Sequence, residues 1–172
     1  MQTPDDLLRR LAALGIETRT VRHAPVFTVA ESQALRLNLP RDTPSGHVRN
    51  LFLKPEKLPG PFLLAVLEED RLVRVNALVR SLGAPRSVFA DADSLRAQLG
   101  VEPGSVTPFG LVNAVPGAVR AVFDRALIEG FDWISIHPLT NTMTTAIRPP
   151  DLLRFLRNLG HAPELVDLPN PA

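Results

Sequence analysis

At 172 residues, 45% hydrophobic and 22% charged, the chain has the size and balance of a single domain over residues 1–172, able to bury a core without disulfides or metals. It contains no cysteine, which excludes a disulfide framework, thiolate metal sites and a cysteine nucleophile and fits a cytoplasmic protein. A formal charge of +1 provides no global attraction to nucleic acid, so any RNA contact has to come from a local patch.

The first residues, Thr3-Pro4-Asp5-Asp6, are acidic where a secretion signal is basic, and no apolar run approaches the roughly 20 residues of a membrane span. Neither export nor membrane association is expected. Thr3 with Asp6 forms a capping box, Pro4 suits the first helical position, and Leu7, Leu8, Leu11 and Leu14 make one stripe before Gly15. A first helix is therefore predicted there, followed by a weakly alternating strand over residues 16–22. Thr28 and Glu31 form a second capping box, which predicts a short helix over residues 29–37 and then a loop over residues 40–46.

A strand over residues 47–53 and a buried partner over 61–67 form a predicted hairpin. Asn76 can cap a helix carrying Leu78, Val79 and Leu82, and Asp91 one carrying Leu95 and Leu99. Further strands are expected over 110–115, 118–123, 133–137 and 143–147. Pro149 and Pro150 then open a last helix on Leu152, Leu153, Leu156 and Leu159, before a strand over 165–168 and a fraying tail over 169–172. No Pro/Gly/Ser linker divides these elements, which favours an α+β domain with a mixed sheet.

The chain lacks a phosphate loop, a Gly-x-Ser-x-Gly elbow and a His-Glu-x-x-His pair. Its histidines, His23, His47, His137 and His161, have no ligand spacing, so no metal is expected. No recognition-helix pattern or basic run supports DNA binding. Four segments nevertheless combine polar groups with a constrained backbone. In His23-Ala24-Pro25-Val26-Phe27-Thr28, proline stiffens the approach to a capped helix. Strand alternation in the segment from Gly46 to Lys54 puts His47 and Arg49 on one face and Asn50 on the other, where polar residues either line a cleft or form a solvated strand end. Gly104-Ser105-Val106-Thr107-Pro108 is an irregular loop whose backbone N–H groups either face a ligand oxygen or belong to a plain turn. His137-Pro138-Leu139-Thr140-Asn141 leads from a strand end into a Thr-rich strand that includes Thr145.

In this order the segments resemble the YbaK and prolyl-tRNA editing superfamily, most closely its free-standing members that deacylate alanyl-tRNA for proline. The resemblance rests on His-x-Pro-Val-Phe-Thr-Val at 23–29, Gly-His-x-x-Asn-Leu-Phe-Leu-Lys at 46–54, Pro-Gly-Ser-Val-Thr-Pro-Phe-Gly-Leu at 103–111 and His-Pro-Leu-x-Asn-x-x-Thr-Thr-Ala at 137–146. It implies a partly closed mixed sheet wrapped by helices, and hydrolysis without cofactor, metal or covalent intermediate. The implied partner is the 3′ acceptor end of an aminoacyl-tRNA, delivered by prolyl-tRNA synthetase or an elongation factor. It implies catalytic roles for Arg49, Asn50, Gly104 and His137, and substrate contacts from His23, Phe27, His47, Ser105, Val106, Thr107, Pro108, Asn141 and Thr145. At one position the chain departs from the family: Arg49 stands where lysine usually precedes the asparagine. Arginine keeps the charge and can serve a positioning or electrostatic role, but it cannot supply a neutral amine.

Overall fold

The computed structural model describes residues 1–28, 30, 31, 45–57 and 59–169. Most of the expected 29–37 helix and 40–46 loop, and residues 170–172 of the tail, lie outside these. Helix α1 (Pro4–Ala13) starts as its sequence dictates: Asp6 N donates to Thr3 Oγ1 while Thr3 N donates to the Asp6 carboxylate. These bonds, with Arg9, hold the Asp6 carboxyl down at about 2. Leu7 and Leu11 are fully buried. The second capping box also forms, with Glu31 N donating to Thr28 Oγ1 and the Glu31 carboxylate accepting from Phe27 N and Thr28 N.

Strand β1 (Thr18–Arg22) is followed by β2 (Gly46–Pro55), β3 (Phe62–Glu68), α2 (Val75–Ser81), β4 (Ser87–Phe89) and α3 (Ala92–Leu99). A 3₁₀ turn (Pro108–Val112) leads to β5 (Val119–Asp124), α4 (Arg125–Gly130), β6 (Ile134–Ile136), β7 (Met143–Ile147), α5 (Pro149–Asn158) and β8 (Glu164–Val166). The mixed sheet runs β1-β7-β6-β2-β3-β5-β8, an open path with β4 attached to β2. Its faces bury two clusters. Phe52, Leu64 and Val66 belong to one, with Leu7, Leu99, Phe109 and Phe155; Leu51, Leu53, Leu63 and Ala65 belong to the other, with Leu78 and Val79. Burial on both faces explains why β3 reads as a continuous apolar run.

The ten-residue β2 positions the site. One edge pairs with β3, Val48 opposite Glu68 and Leu53 opposite Leu63. The other edge is shared: Gly46 and His47 pair with β6, Leu53, Lys54 and Pro55 with β4. Among the described residues no strand covers residues 48–52 on that edge, and Asn50 lies within this notch.

Three sequence-based expectations need correction. Residues 108–112 are a 3₁₀ turn, not the start of a strand over 110–115, because Pro108 occupies its first position and Thr107 Oγ1 caps it by accepting from Phe109 N. Helix α2 begins at Val75, with Arg74 rather than Asn76 at the N-cap and no side-chain cap. Neither β4 nor α4 was expected; α4 begins where Asp124 Oδ1 accepts from Ala126 N. Among the described residues no helix is long and apolar enough to cross a membrane.

Candidate active site

The notch in β2 opens into a cleft of about 280 Å³ lined by Val26, Phe27, Thr28, Val48, Arg49, Asn50, Glu69, Gly104, Val106 and His137. Residues from all four sequence segments therefore meet in one place. Asn50 ties the strand to the Gly104 loop: its Nδ2 donates to Val106 O at 2.9 Å, which fixes the amide orientation because a carbonyl can only accept. Asn50 Oδ1 is buried with no partner among the described residues, an acceptor in want of a donor. Gly104 has φ 88°, the left-handed region that favours glycine, and a Cβ there would stand 3.3 Å from the Phe27 ring. The loop and the 67% exposed Phe27 thus close on each other across the cleft mouth.

His137 is held from three directions. Its carbonyl accepts from Thr107 Oγ1 at 2.6 Å and from Leu139 N at 3.0 Å, the latter across a turn that forces Leu139 to φ 66°. Its ring Nδ1 lies 3.0 Å from Met143 O and must donate, so the neutral ring carries its lone pair on Nε2. Burial holds the imidazole below its ordinary 6.5; the bond to Met143 opposes the shift and nearby His23 adds to it. The unfolded chain therefore takes up this proton at a higher pH than the folded one, and stability is lost as pH falls from the ordinary value through the folded one. Wild type is expected to melt at a lower temperature at about pH 5.5 than at about pH 7.5, and His137→Gln should shrink that difference. Thermal denaturation of both proteins at the two pH values checks this, and equal differences would remove His137 as the source.

Arg49 lines the cleft, but strand alternation turns its side chain to the face of Leu51 and Leu53, away from that of Asn50. Its Nη2 donates to Arg71 O at 2.9 Å, and its Nε is buried without a partner among the described residues. The residue thus pins the turn after β3 from behind the cleft wall.

The remaining sequence candidates lie outside the cleft lining and act through the segments that form it. Thr107 is fully buried and joins the Gly104 loop to the end of β6, Pro108 starts the 3₁₀ turn, and Ser105 is buried within the loop. Asn141 clamps residue 26, its Nδ2 donating to Val26 O and its carbonyl accepting from Val26 N. His23 bridges Ala24 O and Thr144 Oγ1, with its ring 6.3 Å from that of His137. Thr145 is buried against Thr20 across the β1–β7 pair, and His47 accepts Glu69 N at its carbonyl; neither lines the cleft. Sequence reasoning missed Glu69, an 8% exposed carboxylate in the cleft wall. It sits within Glu68-Glu69-Asp70-Arg71, which reads as a solvated turn; only extension of the hairpin register beyond Val48–Glu68 places it beside His47.

Residues 23–155 match the family model for the aminoacyl-tRNA editing domain, and the chain belongs to that family. It is 38% identical over 164 residues, 94% of this chain and 92% of the relative, to prolyl-tRNA synthetase associated domain-containing protein 1 of Bos taurus. It is 27% identical over 168 residues, covering 98% of this chain and 99% of the relative, to prolyl-tRNA editing protein ProX of Acetoanaerobium sticklandii. The fold is shared with a solved structure, "Crystal structure of a putative trans-editing enzyme for prolyl tRNA synthetase", at TM-score 0.68, 20% identity and 98% coverage of both chains.

Proposed function

We propose that the chain is a trans-editing deacylase that hydrolyses the ester between a wrongly attached small amino acid and the 3′ end of tRNA, with alanyl-tRNA for proline as preferred substrate. The observation that carries this reading is the meeting of a rigidly held neutral His137 and the Asn50-braced Gly104 loop in one small cleft. An aminoacyl ester is already activated, so the protein has to position water, receive its proton and stabilise the oxyanion. His137 Nε2 orients the water; water attacks the carbonyl carbon, N–H groups of the Gly104 loop bind the oxyanion, and the ester bond breaks with the proton passing to the departing ribose oxygen. The substrate's neighbouring ribose hydroxyl assists that transfer. Asn50 Oδ1 accepts from the terminal ribose, and the Glu69 carboxylate complements the α-ammonium group.

The proline identity of the tRNA is supported by the names of the bovine and Acetoanaerobium relatives, which also make prolyl-tRNA synthetase the favoured partner. A second reading, a binding protein without turnover, is favoured by one observation: the Arg49 guanidinium is engaged with Arg71 O behind the cleft wall. Deacylation of a panel of alanyl-, seryl-, glycyl- and prolyl-tRNA separates the two readings. The deacylase hydrolyses the alanyl ester fastest, while the binding protein retains every ester. The same assay after dialysis against a strong chelator is expected to give unchanged rates, since among the described residues no group of three or more His, Asp or Glu is placed to hold a metal. Loss of activity restored by zinc would reject the mechanism.

A further inference from the structure

Thr107 is fully buried and its side chain does not line the cleft, yet it joins the two parts of the site that come from distant segments. Its Oγ1 donates to His137 O at 2.6 Å, a direction fixed because a carbonyl can only accept. The same oxygen accepts from Phe109 N at 3.2 Å and so caps the 3₁₀ turn. The hydroxyl proton is thereby committed to His137 while a lone pair is committed to the turn.

The turn is a firm base for that bond. Pro108, Phe109, Gly110 and Leu111 are all buried. At its far end Leu111 O accepts from His161 Nε2 at 2.7 Å, a 7% exposed histidine that the chemistry of the cleft does not use. On the other side of Thr107, Val106 O is held by Asn50 Nδ2. His137, in contrast, opens a strained turn. Its carbonyl also accepts from Leu139 N, and Leu139 is the one non-glycine residue at positive φ among the described residues. Such a conformation persists only where the surroundings over-determine the backbone, and Thr107 brings a second donor to the same carbonyl.

We propose that Thr107 is a positioning residue that sets the placement of the His137 imidazole relative to the N–H groups of the Gly104 loop. With that placement fixed, the water on Nε2 and the developing oxyanion meet at one carbonyl carbon. Thr107 acts through His137, in place of the direct substrate contact that the family resemblance implies. The proposal rests on the deacylase reading for the chemistry it serves, whereas the hold on the His137 ring is independent of turnover.

The test compares wild type with Thr107→Val, which keeps the side chain's approximate volume and removes the hydroxyl, and with Thr107→Ser, which keeps the hydroxyl. Thr107→Val should lower kcat for alanyl-tRNA deacylation by about 10–100-fold with KM within about twofold of wild type. Thr107→Ser should recover most of kcat although it melts at a lower temperature for want of a buried methyl. Imidazole ¹⁵N spectra at about pH 7.5, above the ordinary histidine range, should show the Nδ1–H tautomer of His137 in wild type and in Thr107→Ser. In Thr107→Val both tautomers should appear, because the ring is released from Met143 O. Thr107→Ala gives the same readings should the valine variant fail to fold. A raised KM at unchanged kcat would overturn the proposal in favour of a substrate contact. A lower melting temperature with kcat and the His137 spectrum unchanged would reduce Thr107 to a packing role, and serine no better than valine would deny the hydroxyl its part. A wild type that hydrolyses no ester, with the tautomer still lost in Thr107→Val, keeps the positioning of His137 and refutes the deacylase reading; an unchanged spectrum there overturns both.

Discussion

Asn50→Ala is expected to lower the single-turnover rate of alanyl-tRNA deacylation by about 100-fold or more. The substitution removes the donor to Val106 O, and so the brace between β2 and the Gly104 loop, together with the acceptor assigned to the terminal ribose. It also strands a backbone carbonyl, a cost of about 1–3 kcal/mol that should appear as a lower melting temperature. Asn50→Asp separates bracing from size: a carboxylate of the same shape cannot donate to Val106 O and faces it with like charge, so this variant should be no more active than alanine. Rates measured under saturating enzyme, with melting curves to confirm folding, decide the matter. An Asn50→Ala enzyme at half the wild-type rate would take Asn50 out of the mechanism.

At Arg49 the side chain's charge and its hydrogen bond predict different outcomes for different replacements. Arg49→Ala should lose most deacylation, of order 100-fold, because the turn carrying Glu69 and Arg71 loses the bond to Arg71 O that holds it behind the cleft wall. Arg49→Lys should retain or exceed the wild-type rate: lysine keeps the charge, can still donate to Arg71 O, and is the residue usual in the family at this position. Filter binding alongside distinguishes a loss of affinity from a loss of chemistry. Full activity in Arg49→Ala would leave the work to the Gly104 loop, His137 and the substrate's own hydroxyl.

What the sequence made legible follows from how local the physics is. Helices α1 and α3 are readable because each start is set by an N-cap side chain that accepts from the backbone N–H three residues on, Thr3 from Asp6 and Asp91 from Ser94. Strand β3 is readable because burial on both faces leaves an unbroken apolar run. The turn at Pro108–Val112 is not, because five apolar residues have too little period to separate a strand from a helical turn. Of the site, the four polar segments are visible one by one in the sequence, but their meeting depends on a parallel pairing between β2 and β6, ninety residues apart in the hydrogen bond joining Ser45 and Ser135. Arg49 and Asn50 are neighbours in sequence, and strand alternation alone separates their faces. Glu69 shows the converse, a charged residue in an apparently solvated turn that long-range register carries into the cleft wall.

The most direct test of the central claim is a single-turnover comparison of alanyl-tRNA and prolyl-tRNA for the same proline tRNA, with wild-type protein in excess. A cleft that discriminates by size should hydrolyse the alanyl ester well above its spontaneous rate and roughly 10–200-fold faster than the prolyl ester. Hydrolysis of both at the spontaneous rate, or of both at one equal enhanced rate, would contradict the account.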